Sequence, residues 1–135
     1  LNELEKYILK NNLSKSVLMT DYLSNPEISS LYKKALVYVF PSIEEGFGIP
    51  ILEAFAMKIP VVTSNAGAMV EVAEGAAEHY NVGDYTELFK ILTKLIISKS
   101  ERTNLIVKGS ERLKAFSREK FIKDYEQLIL KSVQN

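Results

Sequence analysis

Phe40-Pro41-Ser42-Ile43-Glu44-Glu45-Gly46-Phe47-Gly48-Ile49-Pro50-Ile51-Leu52-Glu53-Ala54-Phe55-Ala56 joins a strand end, a glycine turn and a helix start in one run. The apolar residues from Ala35 to Phe40 before it read as a buried strand. Gly46 and Gly48 can take positive φ, and neither carries a side chain that would keep a ligand from the main chain. Phe47 between them is either a hydrophobic plug under the turn or a pocket wall. Pro50 suits the first helical position, where its missing N–H costs nothing. A helix starting at Ile49 or Pro50 and running to about Lys58 would aim its free N–H groups and positive dipole end above the turn. Strand, glycine turn and helix in this order form a common anion site.

Glu45 and Glu53 stand eight positions apart on either side of this helix start. They are placed to line one cleft at two depths. A carboxylate accepts hydrogen bonds from paired sugar or ribose hydroxyls. The plainer reading is two solvated glutamates around an ordinary turn.

Working outward, Leu36–Phe40 and Pro60–Ser64 are continuous apolar runs separated by the helix. Such runs alternating with helices predict an α/β fold with a parallel sheet covered on both faces. Ser16–Thr20, around Val17-Leu18-Met19, reads as another short strand, and Ala76–Asn81 as a weak one. Helices are expected over residues 2–12, with Asn11 and Asn12 as its stop, and over 27–34, with Asn25 as cap and Pro26 at the first helical position. Asn65-Ala66-Gly67 turns into a helix over 68–73 that carries Glu71. The last third is helical. Leu88, Ile91, Leu92, Leu95 and Ile96 make one stripe, Leu105, Ile106, Leu113 and Phe116 a second, and Phe121, Ile122, Tyr125, Leu128 and Ile129 a third, with Ser117 capping the last helix.

Composition narrows the function classes. The 135 residues suit one domain, and 47% apolar with 25% charged content is that of an ordinary globular protein. Seventeen basic residues balance seventeen acidic ones, with no basic stripe for nucleic acid. There is no cysteine and one histidine, His79, so thiolate and histidine metal sites are not expected. No apolar run is long enough to span a bilayer and no signal peptide is visible. The start at Leu1 rather than Met suggests an excised or processed piece.

The central run resembles the signature of retaining glycosyltransferases of family 4, which have the GT-B fold. Pro41-Ser42, Glu45-Gly46-Phe47-Gly48, Pro50 and Glu53-Ala54-Phe55-Ala56 match that pattern position by position. The resemblance runs from about Val17 onward and includes Pro60-Val61-Val62, Ser64–Ala68 and Glu71-Val72. It implies a Rossmann-like, nucleotide-sugar-binding C-terminal domain with a helical last third, lacking the N-terminal acceptor domain. It implies that Glu45 contacts the donor sugar's hydroxyls and is the candidate catalytic residue. Main-chain groups around Gly46, Phe47, Gly48, Ile49 and Pro50 would approach sugar and diphosphate, and Glu53 would hold the ribose. Tyr22 becomes a candidate wall for the base or, equally, a loop aromatic over the core. Asp21 stands where the family usually has Gly, in a turn that Asp tolerates. Glu71 would bear on the sugar or acceptor side, or cap a turn.

One departure bears on binding. The family's Arg and Lys that clamp the diphosphate have no counterpart, since the first arginine is Arg102. Lys33, Lys34 and Lys58 read as solvated surface charges. The expectation is therefore a fragment, inactive alone, of a cytoplasmic bacterial hexosyltransferase, peripheral at the inner face of the membrane. Its substrate would be a UDP- or GDP-hexose with no metal required, and its acceptor a glycan or lipid-linked glycan held by the absent domain, in surface polysaccharide or lipopolysaccharide assembly. A bare sheet edge predicts self-association. The rival reading is a non-catalytic nucleotide-binding or interaction module of the same fold. A sugar-phosphate phosphatase or synthase lacks the aspartate pair it would need.

Overall fold

A computed structural model describes residues 2–133, with side chains through residue 130; Leu1 lies outside the described residues. The chain divides into two compact units, one reaching to Ser30 and one from Leu31 onward.

The first unit holds α1 (Glu3–Lys10). Asn2 and Glu5 cap it reciprocally, each side chain 2.8 Å from the other's backbone N–H. Asn11 closes it and Asn12 turns left-handed at φ 56°, as the asparagine pair predicts. Ile8 is buried. The strand expected over Ser16–Thr20 is not formed. The N–H groups of Ser16 and Val17 bond back to the Leu13 carbonyl, and Leu18 is 81% exposed. A three-residue apolar run becomes a strand only when a neighbour offers a ladder, and none does among the described residues. Helix α2 (Asn25–Lys34) contains the division between the units. Its cap is Ser24, one residue earlier than expected. Glu27 reaches back to the Ser24 N–H at 2.9 Å and hydroxyl at 2.6 Å, which holds the Glu27 carboxyl below its ordinary range.

The second unit is built on three parallel strands in the order β1 (Tyr38–Phe40), β2 (Val61–Ser64), β3 (Glu78–Tyr80). Tyr38 pairs with Val61 and Val62 with Glu78, which fixes the register. Every residue of the central strand β2 is buried, as its unbroken apolar run requires. Side-chain alternation sends Val61 and Val62 to opposite faces. Val61 joins Ile51, Phe55, Met69 and Val72 from α3 (Ile49–Ala56) and α4 (Ala68–Ala73). Val62 joins Tyr80, Leu95 and Leu105, the last two from α5 (Tyr85–Ile97) and α6 (Lys99–Leu113).

Local chemistry ends these helices where they end. Helix α3 stops two residues short of the expected Lys58, which turns left-handed at φ 57° while the Ile59 N–H bonds the Ala54 carbonyl. Asp84 caps α5 through the Glu87 N–H at 2.8 Å, and Ser98 does the same for α6. Arg102 covers the last carbonyls of α5, Leu95 at 2.6 Å and Ile96 at 2.9 Å. A 3-10 turn (Lys114–Phe116) follows α6 and leads into α7 (Arg118–Val133), capped by Ser117 as expected.

Candidate functional site

The glycine turn hangs between β1 and α3, and two buried hydroxyls of β2 fix its first half. Thr63 and Ser64 are fully buried, so each hydroxyl needs a partner. Thr63 donates to the Phe40 carbonyl at 2.9 Å, and Ser64 donates to the Ser42 carbonyl. Ser42 Oγ in turn lies 2.9 Å from Glu45 Oε1 and 3.1 Å from the Glu44 carbonyl. The buried strand thus orients the exposed carboxylate through one serine.

The second half of the turn delivers the helix. Gly48 is buried at φ 92°, a left-handed conformation that suits glycine. No side chain caps α3; Pro50 has no N–H and the Ile51 N–H bonds the Gly48 carbonyl at 3.0 Å, so this helix start offers the Ile49 N–H to solvent or ligand. Pro50 falls in this first turn, one position later than the first. Gly46 does not use positive φ. A Cβ added there would meet nothing within 4 Å.

Glu53 is exposed, and its carboxylate makes no hydrogen bond or ion pair among the described residues. Burial, first, then Tyr32, then the charges of Glu53 and Glu45 all push the Tyr38 hydroxyl up. Tyr38 is set edge-on to Tyr32 at 5.5 Å and stacks on Phe40 at 6.2 Å.

Phe47 lines two hollows of the surface. It is half exposed and meets the Phe116 ring edge-on, centroids 5.7 Å apart. With Gly46, Ala68, Glu71, Arg112 and Phe116 it encloses a cavity of about 110 Å³. On its other side a groove of about 750 Å³ runs along Phe116, Phe121, Tyr125 and Leu128 without reaching Glu45 or Glu53. Arg112 is no free phosphate ligand. Its guanidinium donates to the carbonyls of Val72 and Glu71, both at 2.9 Å, pairs with Glu74, and lies 4.8 Å over Phe116.

Glu45, Gly46, Phe47, Gly48, Ile49, Pro50 and Glu53 thus lie on one turn and the helix it starts. Tyr22 belongs to the first unit and is 93% exposed. Sequence reading passed over Tyr38, Thr63, Ser64, Arg112 and Phe116 as site residues. Buried Thr63-Ser64 ending an otherwise apolar strand was the available signal. Among the described residues no group of three His, Cys, Asp or Glu side chains is placed to hold a metal ion. Likewise, none of their helices is long and apolar enough to cross a membrane.

The family described as glycosyl transferases group 1 matches residues 1–124, across the turn and the whole sheet. This chain belongs to it. The MMP alpha-(1->4)-mannosyltransferase of Mycolicibacterium hassiacum is 35% identical over 111 residues, which are 80% of this chain and 27% of that protein. O-antigen chain mannosyltransferase B of Escherichia coli is 33% identical over 96 residues, 71% of this chain and 25% of that protein. The chain spans about a quarter of the length of these relatives. The solved C-terminal domain of a group 1 glycosyl transferase (LpcC) from Francisella tularensis superposes with a TM-score of 0.72 at 27% identity, over 84% of this chain and 60% of that one. The α/β architecture of the group 1 chain is therefore that of a GT-B C-terminal domain.

Proposed function

We propose that this chain is the donor-binding domain of a retaining, family 4 glycosyltransferase. The enzyme would move a hexose from a nucleotide diphosphate sugar to a hydroxyl of a glycan or lipid-linked glycan. The relatives' names favour mannose as the hexose and O-antigen-like surface polysaccharide as the product. The carrying observation is the start of α3 after the Gly48 turn, which no side chain caps, with Glu45 on the turn before it and Glu53 on the helix itself.

Cleavage of the sugar–phosphate bond puts negative charge on the leaving diphosphate. The α3 N-terminus and the amides of Gly46–Gly48 stabilise that charge where it develops. Glu53 accepts hydrogen bonds from the ribose hydroxyls. Glu45, held by Ser42, accepts them from the sugar and is the group placed to act at the reacting sugar. No metal is required, because the helix start and amides supply the positive field. The acceptor binds to a part of the enzyme beyond this chain, which alone is inactive. The whole enzyme works in the cytoplasm, peripheral at the inner face of the membrane; recovery in a soluble fraction at low and high salt alike would count against that attachment.

Ligand-observed NMR of this chain with GDP-mannose and UDP-glucose tests the site. Weak binding of one nucleotide sugar is expected. Hydrogen bonds to a charged group are worth enough that Glu53→Ala should cost about tenfold in affinity. Equal binding by Glu53→Ala would remove Glu53 from the site. Binding together with hydrolysis or transfer by no longer form of the protein would favour a non-catalytic module.

A further inference from the structure

The glycine turn is pinned at two places. Ser64 holds its start through the Ser42 carbonyl, and Phe116 holds Phe47 near its end. Between those points Ile43, Glu44, Glu45 and Gly46 are exposed. The second pin is unlike a chance surface contact, because Phe116 is itself clamped. Arg112 lies 4.8 Å over its ring, an attraction of the guanidinium to the aromatic face. Arg112 is in turn immobilised. Only 20% of its side chain is exposed, and three acceptors of α4 and its cap take its N–H groups: the Glu71 and Val72 carbonyls and the Glu74 carboxylate. Those carbonyls lie in the last turn of α4, where a cation also meets the negative end of the helix.

We propose that Arg112 and Phe116 are positioning residues that act through Phe47 to hold the glycine turn, and with it Glu45, in its donor-binding pose. The proposal rests on the reading of that turn as the donor site. Among the described residues, Phe116 is the one ring paired with Phe47, which is half exposed on a glycine-flanked turn. With the relay from α4 through Arg112 and Phe116 in place, the turn is ordered before the donor arrives. Ordering it during binding would weaken affinity. Neither Arg112 nor Phe116 need touch the donor.

The test is a double-variant cycle on the full chain: wild type, Phe116→Leu, Phe47→Leu and the pair. The first readout needs no ligand. Phe116→Leu should shift the Gly46 and Gly48 amide signals in a ¹⁵N spectrum, and that shift should vanish in the Phe47→Leu background. The second readout is GDP-mannose affinity. Loss of one aromatic pair should weaken it about threefold to tenfold, with no further loss when Phe47→Leu is already present. Arg112→Lys keeps the charge but loses the forked geometry, and should reproduce the amide shift in part; it serves if Phe116→Leu fails to fold, which amide dispersion reports. Unmoved glycine amides, or equal shifts in both backgrounds, would overturn the proposal. Absence of GDP-mannose and UDP-glucose binding in the wild type would instead strike the donor-site reading, while the amide shifts still decide the relay.

Discussion

Gly48 and Tyr38 show how single residues carry the site. Gly48 sits at φ 92° with ordinary space around it, the nearest atom to an added Cβ being Ile51 Cδ1 at 3.5 Å. Conformation rather than crowding therefore demands glycine. Gly48→Ala should destabilise the chain by about 1–2 kcal/mol, the cost of left-handed backbone for a residue with a Cβ; urea unfolding checks this, and an unchanged midpoint would show that the turn relaxes. Tyr38 makes a pH prediction. Burial and its neighbours keep the folded phenol neutral to a higher pH than an unfolded tyrosine, which ionises near pH 10. Above about pH 10 the unfolded chain then holds fewer protons than the folded one, so stability falls as pH rises. Tyr80 adds to the same slope, since burial pushes its hydroxyl up as well. Tyr38→Phe should flatten the drop in urea midpoint between pH 8 and about 10.5; an equally steep drop would mean that Tyr38 contributes nothing to it. Gly48 was legible in the sequence because glycine before proline at a helix start has a local meaning. The role of Tyr38 was not, because it depends on residues from three other segments.

At the scale of elements, α3 and α6 pack so closely that glycine is required between them. A Cβ on Gly109 would lie 2.6 Å from Phe55 Cδ1, and Phe55 is buried in the core beneath. Alanine is the better helix former by about 1 kcal/mol, but the overlap falls on the body of a ring that cannot swing away. Overpacking of that kind costs about 1–3 kcal/mol, which should outweigh the gain in helix propensity. Gly109→Ala should lower stability, and Phe55→Leu in the same chain should recover part of the loss. A more stable Gly109→Ala would mean that α6 moves freely off α3. Helix caps were readable from short spacings, as at Asn11 and Ser117. The strand expected at Ser16–Thr20 failed because a ladder depends on a neighbour, which local sequence does not specify.

At the scale of the molecule, the sheet leaves β1 and β3 as outer strands. Unpaired N–H and C=O groups along an outer strand recruit further strands. The chain on its own should therefore self-associate with rising concentration. Light scattering checks this: a monomer mass constant over a hundredfold concentration range would show that the edges are blunted. The apolar face of α7 adds to this tendency, with Phe121, Leu128 and Leu130 each more than half exposed.

The sequence by itself determined the parallel α/β layout, the glycine turn at the end of a strand, and the family to which that turn belongs. Each depends on spacing within a short stretch: apolar runs, Gly46 and Gly48, Pro50, and the two glutamates. Only the tertiary structure decided what holds the turn in place. Ser64 meets Ser42, Phe116 meets Phe47, and Arg112 meets the end of α4 across long separations in the chain. Such pairings follow from sheet register and helix packing, which bring together residues whose local sequences carry no mark of one another.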